Sequence, residues 1–189
     1  MDRAGELTGW ARAEACRLLD GLPRRLAHVL GVARRAEGVA WVVPVDDRDL
    51  LVAAGFLHDV GYAPELRRTG LHQLDGAAFV ASQGLPRLAA LVAHHSASRF
   101  EIGLSSRSGE LAGYPREQTA LADALVYADL TTGPDGEPVG FEQRLAEVET
   151  RYDDGSVVVE ALALARPHLQ AGVRRTEQRL SGIELSRSA

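Results

Sequence analysis

The feature that most constrains the fold is the spacing of the apolar residues, which recur mostly every three or four positions along the chain. This spacing lines apolar side chains along one face of an α-helix, whereas a half-exposed β-strand requires alternation at every second position. Apart from short apolar runs such as residues 39–45, no segment shows a convincing alternation. The sequence therefore predicts an all-α fold, and the length of 189 residues predicts one helical domain over 1–189.

Glycine and proline divide the chain into segments of helical length. The predicted helices cover residues 7–19, 23–38, 46–59, 71–82, 86–95, 115–130, 140–151, 156–164 and 166–181. Four prolines would fall in the first turn of a helix, where the missing amide donor costs no hydrogen bond: Pro23, Pro86, Pro115 and Pro167. Asp46 and Ser156 are the expected N-caps. Residues 100–114 mix small, polar and charged side chains, which predicts a loop or a short irregular helix.

Charge and residue content exclude several classes of function. The chain has 26 acidic and 21 basic residues, a net charge of -5, so we expect no general binding to nucleic acid. It contains no lysine, which excludes Schiff-base and Walker-type lysine chemistry. The single Cys16 excludes an intramolecular disulfide and a cysteine-based zinc finger. We therefore expect any metal to be held by nitrogen and oxygen ligands. Neither a signal peptide nor a membrane span is recognisable, and a cytoplasmic location is expected.

Histidine is the residue type whose placement needs an explanation. The chain has six histidines, and five of them fall between His28 and His95. A lone histidine on an apolar helix face is usually structural, so the argument depends on the joint arrangement. His58 and Asp59 are adjacent at the end of a strongly apolar predicted helix, just before Gly61. Imidazole and carboxylate are ligands that Mn, Fe, Co, Ni and Zn accept, and a metal would offset the cost of burying an acid there.

These motifs resemble the HD-domain superfamily of metal-dependent phosphohydrolases. The motifs that carry the resemblance are RRLAHVLGVA with His28, FLHDVGYAP with His58 and Asp59, GLHQLDGAAFV with His72, LVAHHSASRFE with His94 and His95, and ALVYADLTTG with Asp129. Their order and spacing match the family pattern over roughly residues 23–135. The resemblance implies an HD-domain helical bundle, followed here by a C-terminal helical extension.

The resemblance also implies a set of metal ligands. His28, His58, Asp59 and Asp129 would coordinate a first divalent ion, and Asp59 would bridge to a second. His72, together with His94 and His95, would complete the second site, as in the two-metal members of the superfamily. The expected cofactor is therefore two divalent ions drawn from Fe, Mn, Co, Ni and Zn.

Three assignments stay open at the level of sequence. Consecutive His94 and His95 point about 100° apart on a helix, so both need not face the same ion, and His95 is slightly favoured. Asp123 and Asp129 compete for the distal aspartate role; Asp129 is preferred because Tyr-Ala-Asp-Leu resembles the last family motif. His168 lies outside the matching region and is expected to be incidental.

The resemblance implies hydrolysis of a phosphate ester or anhydride in a small phosphorylated substrate such as a nucleotide. Asp59 and His58 are the expected catalytic residues, with Asp59 or Asp123 orienting the attacking water. Arg67 and Arg68 follow the His-Asp turn and Arg99 follows the double histidine, so these arginines are the candidates for phosphate binding. The alternatives are a di-iron oxygenase on the same fold and a non-catalytic module that senses nucleotides.

Overall fold

The computed structural model describes residues 3–153 and 155–187, and within these ranges every regular element is helical. The α-helices are α1 (Arg3–Leu18), α2 (Pro23–Val39), α3 (Arg48–Leu57), α4 (His72–Ser82), α5 (Pro86–His94), α6 (Ser98–Gly103), α7 (Ala120–Leu130), α8 (Phe141–Glu149) and α9 (Val157–Arg187). The described residues form no β-strand, and their one isolated β-bridge joins Thr132 to Pro138. The prediction of an all-α fold is confirmed.

Helix α3 lies at the centre of the core. Its residues from Leu51 to Leu57 are all buried, because the sequence LLVAAGFL offers apolar or small side chains on every face. It packs against α1, α2, α5 and α7. The helix ends at Leu57, and His58 and Asp59 follow directly as buried residues. The central helix thus places this polar pair in the interior of the molecule.

The predictions for helix starts are confirmed at some positions and wrong at others. Pro23 and Pro86 are the first residues of α2 and α5, as predicted. The hydroxyl of Ser156 accepts a hydrogen bond from the Val159 amide at 3.3 Å, which confirms it as an N-cap. The helix predicted from Pro115 begins instead at Ala120, and the expected cap at Asp46 is wrong.

Two local interactions explain these differences. Thr119 caps α7, because its hydroxyl accepts from the amide of Ala122 at 3.3 Å and thereby fixes a later start. Asp46 lies within the 3₁₀ turn Val45–Asp47, so α3 starts only at Arg48. The predicted loop or irregular helix is confirmed as α6 followed by the 3₁₀ helix Ser108–Gly113.

The break predicted between residues 164 and 166, just before Pro167, is wrong, since α9 continues through this region and through the proline. A proline inside a helix removes one backbone hydrogen bond, but tertiary packing can outweigh that loss. Ala165, Leu169 and Val173 are buried at four-residue spacing on both sides of Pro167, and the helix packs against α6, α7 and α8. Among the described residues no helix combines the length and apolar character needed to cross a membrane.

Candidate metal centre

Two groups of metal-binding side chains meet inside the helical core. Within each group the potential donor atoms lie within 4.8 Å of one another. The first group is His28, His58 and Asp129, and the second is Asp59, His72 and His95. They come from α2, the turn after α3, the start of α4, the end of α5 and the end of α7, so five separate segments converge on one place.

Asp59 connects the two groups. Its Oδ1 is 3.4 Å from Nε2 of His72 and 3.6 Å from Nε2 of His95. Its Oδ2 is 3.6 Å from Nε2 of His58, which belongs to the first group. In that group, Oδ1 of Asp129 lies 3.1 Å from Nε2 of His28 and 3.9 Å from Nε2 of His58. A single carboxylate therefore reaches donors of both groups, as a bridging ligand would.

Backbone carbonyl groups orient three of the histidine rings. The pairs are His28 Nδ1 with Gly133 O at 3.0 Å, His58 Nδ1 with Gly55 O at 2.9 Å and His95 Nδ1 with Val92 O at 2.7 Å. A carbonyl oxygen can only accept, so each Nδ1 carries the proton and donates. In the neutral ring the lone pair then lies on Nε2, which faces the acidic residues of the cluster. Hydrogen bonds of this kind fix the tautomer of metal-binding histidines.

Burial and charge set the protonation of the cluster. Burial lowers the pKa of His58 to about 4, although Asp59 and Asp129 oppose the shift, so this ring is neutral near pH 7. Burial alone would raise the pKa of Asp59, but Arg25 and His58 hold it well below its usual range. The pKa of Asp129 is also lowered, because its close contact with His28 and the neighbouring charges outweigh burial. The donors are thus ready to bind a cation.

The residues fit a divalent metal on three counts. Nε2 of His58 is buried and has no hydrogen-bond partner among the described residues, which is costly unless another group uses its lone pair. The guanidinium of Arg144 lies against the same donors, with Nη2 3.2 Å from Nε2 of His28 and 3.9 Å from Oδ1 of Asp129. The donors of the first group therefore already face one positively charged group. Imidazole nitrogen and carboxylate oxygen are also a donor set that first-row divalent metals accept.

A cavity of about 100 Å³ opens onto the cluster, and arginines that the sequence analysis did not select line it. Arg25 donates to Oδ2 of Asp59 at 2.5 Å and lies 4.0 Å from the centre of the Tyr62 ring. Arg144 is buried, and Arg151 lines the wall beside it. Arg25 was recognisable, because it precedes His28 by three residues and so shares its helix face. Arg144 and Arg151 lie beyond the family motifs, and only the packing of the chain after α7 brings them here.

A larger cavity of about 470 Å³ adjoins the first and shares Arg25, Tyr62 and Arg151 with it. Its remaining wall is mostly apolar, with Leu22, Pro23 and Pro134 beside the guanidinium groups of Arg24 and Arg67. We call this the outer cavity. It provides space for a molecule larger than a phosphate group next to the candidate metal centre.

The other candidate residues lie apart from the cluster. His94 contacts the carbonyl oxygen of Tyr114 through Nε2 at 2.7 Å, so the structure brings six of the seven candidate ligands together and leaves His94 outside. Among the arginines, Arg67 lines the outer cavity, whereas Arg68 is exposed and contributes a backbone amide to Asp75.

Arg99, Asp123 and His168 lie near a different cavity. Arg99 is exposed and lies 4.3 Å from the centre of the Phe100 ring. Asp123 is bound by Arg175 and Arg179 of α9 and does not line the cavity of the two ligand groups. His168 pairs with Arg116, with Nε2 and Nη2 3.0 Å apart. Its contacts show a structured environment rather than an isolated surface histidine.

Comparison with known proteins agrees with this geometry. The family model of the HD domain matches residues 25–132, which is more than half of the chain. The matched stretch includes all six residues of the two ligand groups. No curated protein and no solved structure matches the chain. The family match, the helical architecture and the buried histidine-aspartate cluster together lead to one conclusion: the chain belongs to the HD-domain family, whose members bind divalent metals and are generally metal-dependent hydrolases.

Proposed function

We propose that this protein is a two-metal phosphohydrolase that cleaves a phosphate ester or anhydride in a small molecule such as a nucleotide. The observation that carries the proposal is the position of Asp59, whose two oxygens face donors of both ligand groups. A shared carboxylate between two sites is suited to two neighbouring ions. The arginines around the same cavity supply the charge that a phosphate group requires.

The two ligand groups would each hold one divalent ion, with Asp59 shared between them. Such ions supply a water of lowered pKa and neutralise charge on phosphoryl oxygens when they are bound. Asp59 and His58 therefore act in catalysis as ligands. The backbone carbonyls that accept from His28, His58 and His95 keep their Nε2 atoms directed at the ions, so the rings need not reorient during turnover.

The arginines would hold the substrate phosphate. Arg25 and Arg151 line both the metal cavity and the outer cavity, so their guanidinium groups stand where a phosphate enters. Arg25 is held in place by Asp59 and by its contact with Tyr62. A guanidinium group can donate two parallel hydrogen bonds to phosphate oxygens. The reacting phosphate would therefore bind beside Arg25, at the edge of the metal centre.

The outer cavity would hold the organic part of the substrate. Its apolar wall includes Leu22, Pro23 and Pro134, against which an apolar group can pack. Arg24 and Arg67 at its edge could bind a second phosphate group of the same substrate. This combination of apolar wall and arginine edge favours a nucleotide or another phosphorylated molecule with an apolar part.

The test is phosphate release from a panel of nucleotides and phosphomonoesters by protein loaded separately with Mn, Co, Ni, Zn or Fe. Arg25→Ala should lower kcat/KM about 10- to 100-fold, since it removes a charge-assisted contact to the phosphate. Arg34→Ala is the matched control, because Arg34 lies on the exposed side of the same helix. We expect it to leave kcat/KM unchanged.

The same panel separates the proposal from its two alternatives. Iron-dependent consumption of dioxygen without phosphate release would replace the proposal with an HD-fold oxygenase. Stoichiometric nucleotide binding without turnover under every metal would replace it with a sensing module. Equal kcat/KM values for Arg25→Ala and the wild type would contradict the proposal that Arg25 contacts the substrate phosphate.

A further inference from the structure

A third cavity, of about 330 Å³, lies beside the double histidine and is separate from the metal cavity. It lies between the end of α5, the segment before α7, and helices α7 and α9, and we call it the rear cavity. Among the residues that the structure describes, only His95 and Ser96 line both the rear cavity and the metal cavity. Its other polar side chains come from different parts of the chain, notably His94, Arg116 and His168, with Arg175 and Arg179. The hydrolase proposed above uses none of these five.

Positive charge exceeds negative charge along this cavity. Asp123 binds two arginines, with Oδ2 2.9 Å from Nε of Arg175 and 2.9 Å from Nη1 of Arg179. The second acid of the wall, Glu117, is bound by Arg87 at 2.9 Å, outside the cavity lining. Neither acid therefore neutralises the remaining arginine of the wall, Arg116.

Arg116 is the unneutralised cation of the rear cavity. Its Nη2 lies 3.0 Å from Nε2 of His168, and within the described ranges no carboxylate forms an ion pair with it. Burial and the nearby charge of Arg99 lower the pKa of Arg116. Burial, together with Arg116, Arg99 and Arg175, likewise lowers the pKa of His168. Burial is the largest cause of both shifts, and the neighbouring positive charges add to it.

Apolar side chains form another part of the wall, beside the polar Ser96, Gln118 and Thr119. Ala90 and Leu91 of α5 face the cavity together with Leu125 and Val126 of α7. Gly172 of α9 leaves additional space, because a Cβ atom there would lie 3.4 Å from a methyl group of Val126 and 3.6 Å from Oδ1 of Asp123. The cavity thus combines guanidinium and imidazole groups with an apolar surface, and its volume exceeds that needed by a lone phosphate ion.

We propose that the rear cavity binds a phosphomonoester, with its phosphate dianion held by Arg116 and His168 and its organic part against the apolar wall. Arg116 offers a planar pair of donors that matches two phosphate oxygens. The ring of His168 lies beside the same guanidinium group and would hydrogen-bond a third oxygen. The excess positive charge provides the attraction for a dianion. This site does not depend on the proposed hydrolase activity, since Arg116 and His168 belong to neither ligand group.

The test is calorimetric titration of the metal-loaded protein with inorganic phosphate and with phenylphosphonate, a dianion that resists hydrolysis and carries an apolar ring. Two classes of phosphate site are expected, one of which disappears in Asp59→Ala. The class that remains in Asp59→Ala should weaken at least about tenfold when Arg116→Ala is added, and less when Arg116→Lys is added. Arg12→Ala removes an exposed arginine of α1 that lines none of these cavities, and it should bind like the wild type.

Amide resonances locate the remaining site, and thermal unfolding checks that each variant is folded. Phosphate should shift the amide resonance of Gly172 in Asp59→Ala, and phenylphosphonate should bind more tightly than phosphate. Equal affinity of the two anions would contradict the role of the apolar wall. The proposal is overturned if folded Arg116→Ala retains the Asp59-independent binding, or if the wild type binds phosphate only at the metal cavity.

Discussion

At the scale of single residues, Asp59 has the most demanding environment in the protein. It is buried, with only 4% of its surface exposed, yet it remains charged chiefly because Arg25 donates to it, with His58, His72 and His95 close to its oxygens. Removing any one of these partners would leave a buried carboxylate less well compensated. Because these partners come from several helices, the environment of Asp59 depends on how those helices pack together.

His94 and His95 provide a prediction at this scale. Nε2 of His95 faces Asp59, whereas Nε2 of His94 faces the carbonyl of Tyr114. We expect His95→Ala to reduce the bound metal by about one equivalent and His94→Ala to leave the metal content unchanged. Elemental analysis of both variants after identical metal loading provides the measurement. Loss of metal in His94→Ala with retention in His95→Ala would reverse the assignment.

At the scale of elements, the turn after α3 determines whether the two ligand groups can meet. Gly61 lies against the start of α4, where a Cβ atom would be 1.9 Å from the carbonyl oxygen of His72 and 2.7 Å from the amide nitrogen of Gly76. Backbone atoms cannot move aside as a flexible side chain can. The absence of a side chain at Gly61 therefore allows α4 to bring His72 close to Asp59.

Gly61→Ala should separate α4 from this turn. We expect a loss of about 3 kcal/mol in the free energy of unfolding, because a methyl group must be forced against backbone atoms. Chemical denaturation provides the measurement, with Gly38→Ala as the control, since a Cβ at Gly38 meets no atom within 4 Å. The control should be neutral or slightly more stable, because alanine favours the helix. A loss no larger than that of the control would contradict the close approach.

Helices α7 and α9 are joined by the ion pairs of Asp123, which give a prediction for pH dependence. Burial alone would raise the pKa of Asp123, but Arg175 and Arg179 lower it below 3.8. The stabilisation is therefore present above the unfolded-state pKa and is lost progressively as the pH falls below it. Asp123→Asn should cost about 1 kcal/mol near pH 6, a small value because both arginines are partly exposed.

Denaturation of the wild type and Asp123→Asn between pH 6 and pH 3 tests this linkage. The difference in unfolding free energy between the two proteins should shrink toward pH 3. Asp20→Asn, which changes an exposed acid of the segment after α1, should show no such trend. A difference that is constant over the whole range would mean that the charge of Asp123 is not the source of its contribution.

At the scale of the whole molecule, the sequence predicted the local features better than the long-range ones. The apolar spacing predicted the helical class, and the order of the histidine and aspartate motifs predicted the family. Side-chain directions depend on packing, so the separation of His94 from the cluster could not be predicted. The continuity of α9 through Pro167 was missed for the same reason, since buried contacts on both sides override the local preference.

The part of the chain beyond the family match contributes side chains to both the metal cavity and the rear cavity. Arg144 and Arg151 extend from this part toward the metal cavity, and α9 supplies His168 and Arg175 to the rear cavity. No motif marks these residues, because their positions depend on how α8 and α9 pack against the HD domain. The C-terminal extension thus provides charged groups for the candidate sites as well as apolar contacts for the core.

The central claim is that two adjacent groups of histidine and aspartate hold two divalent ions for phosphoester hydrolysis. Its most direct test is elemental analysis and phosphate release on one preparation of the wild type, alongside His58→Ala and Asp59→Ala. The account predicts near two equivalents of metal in the wild type, and loss of both metal and phosphate release in the two variants. The absence of metal uptake by the wild type under every loading condition would contradict it.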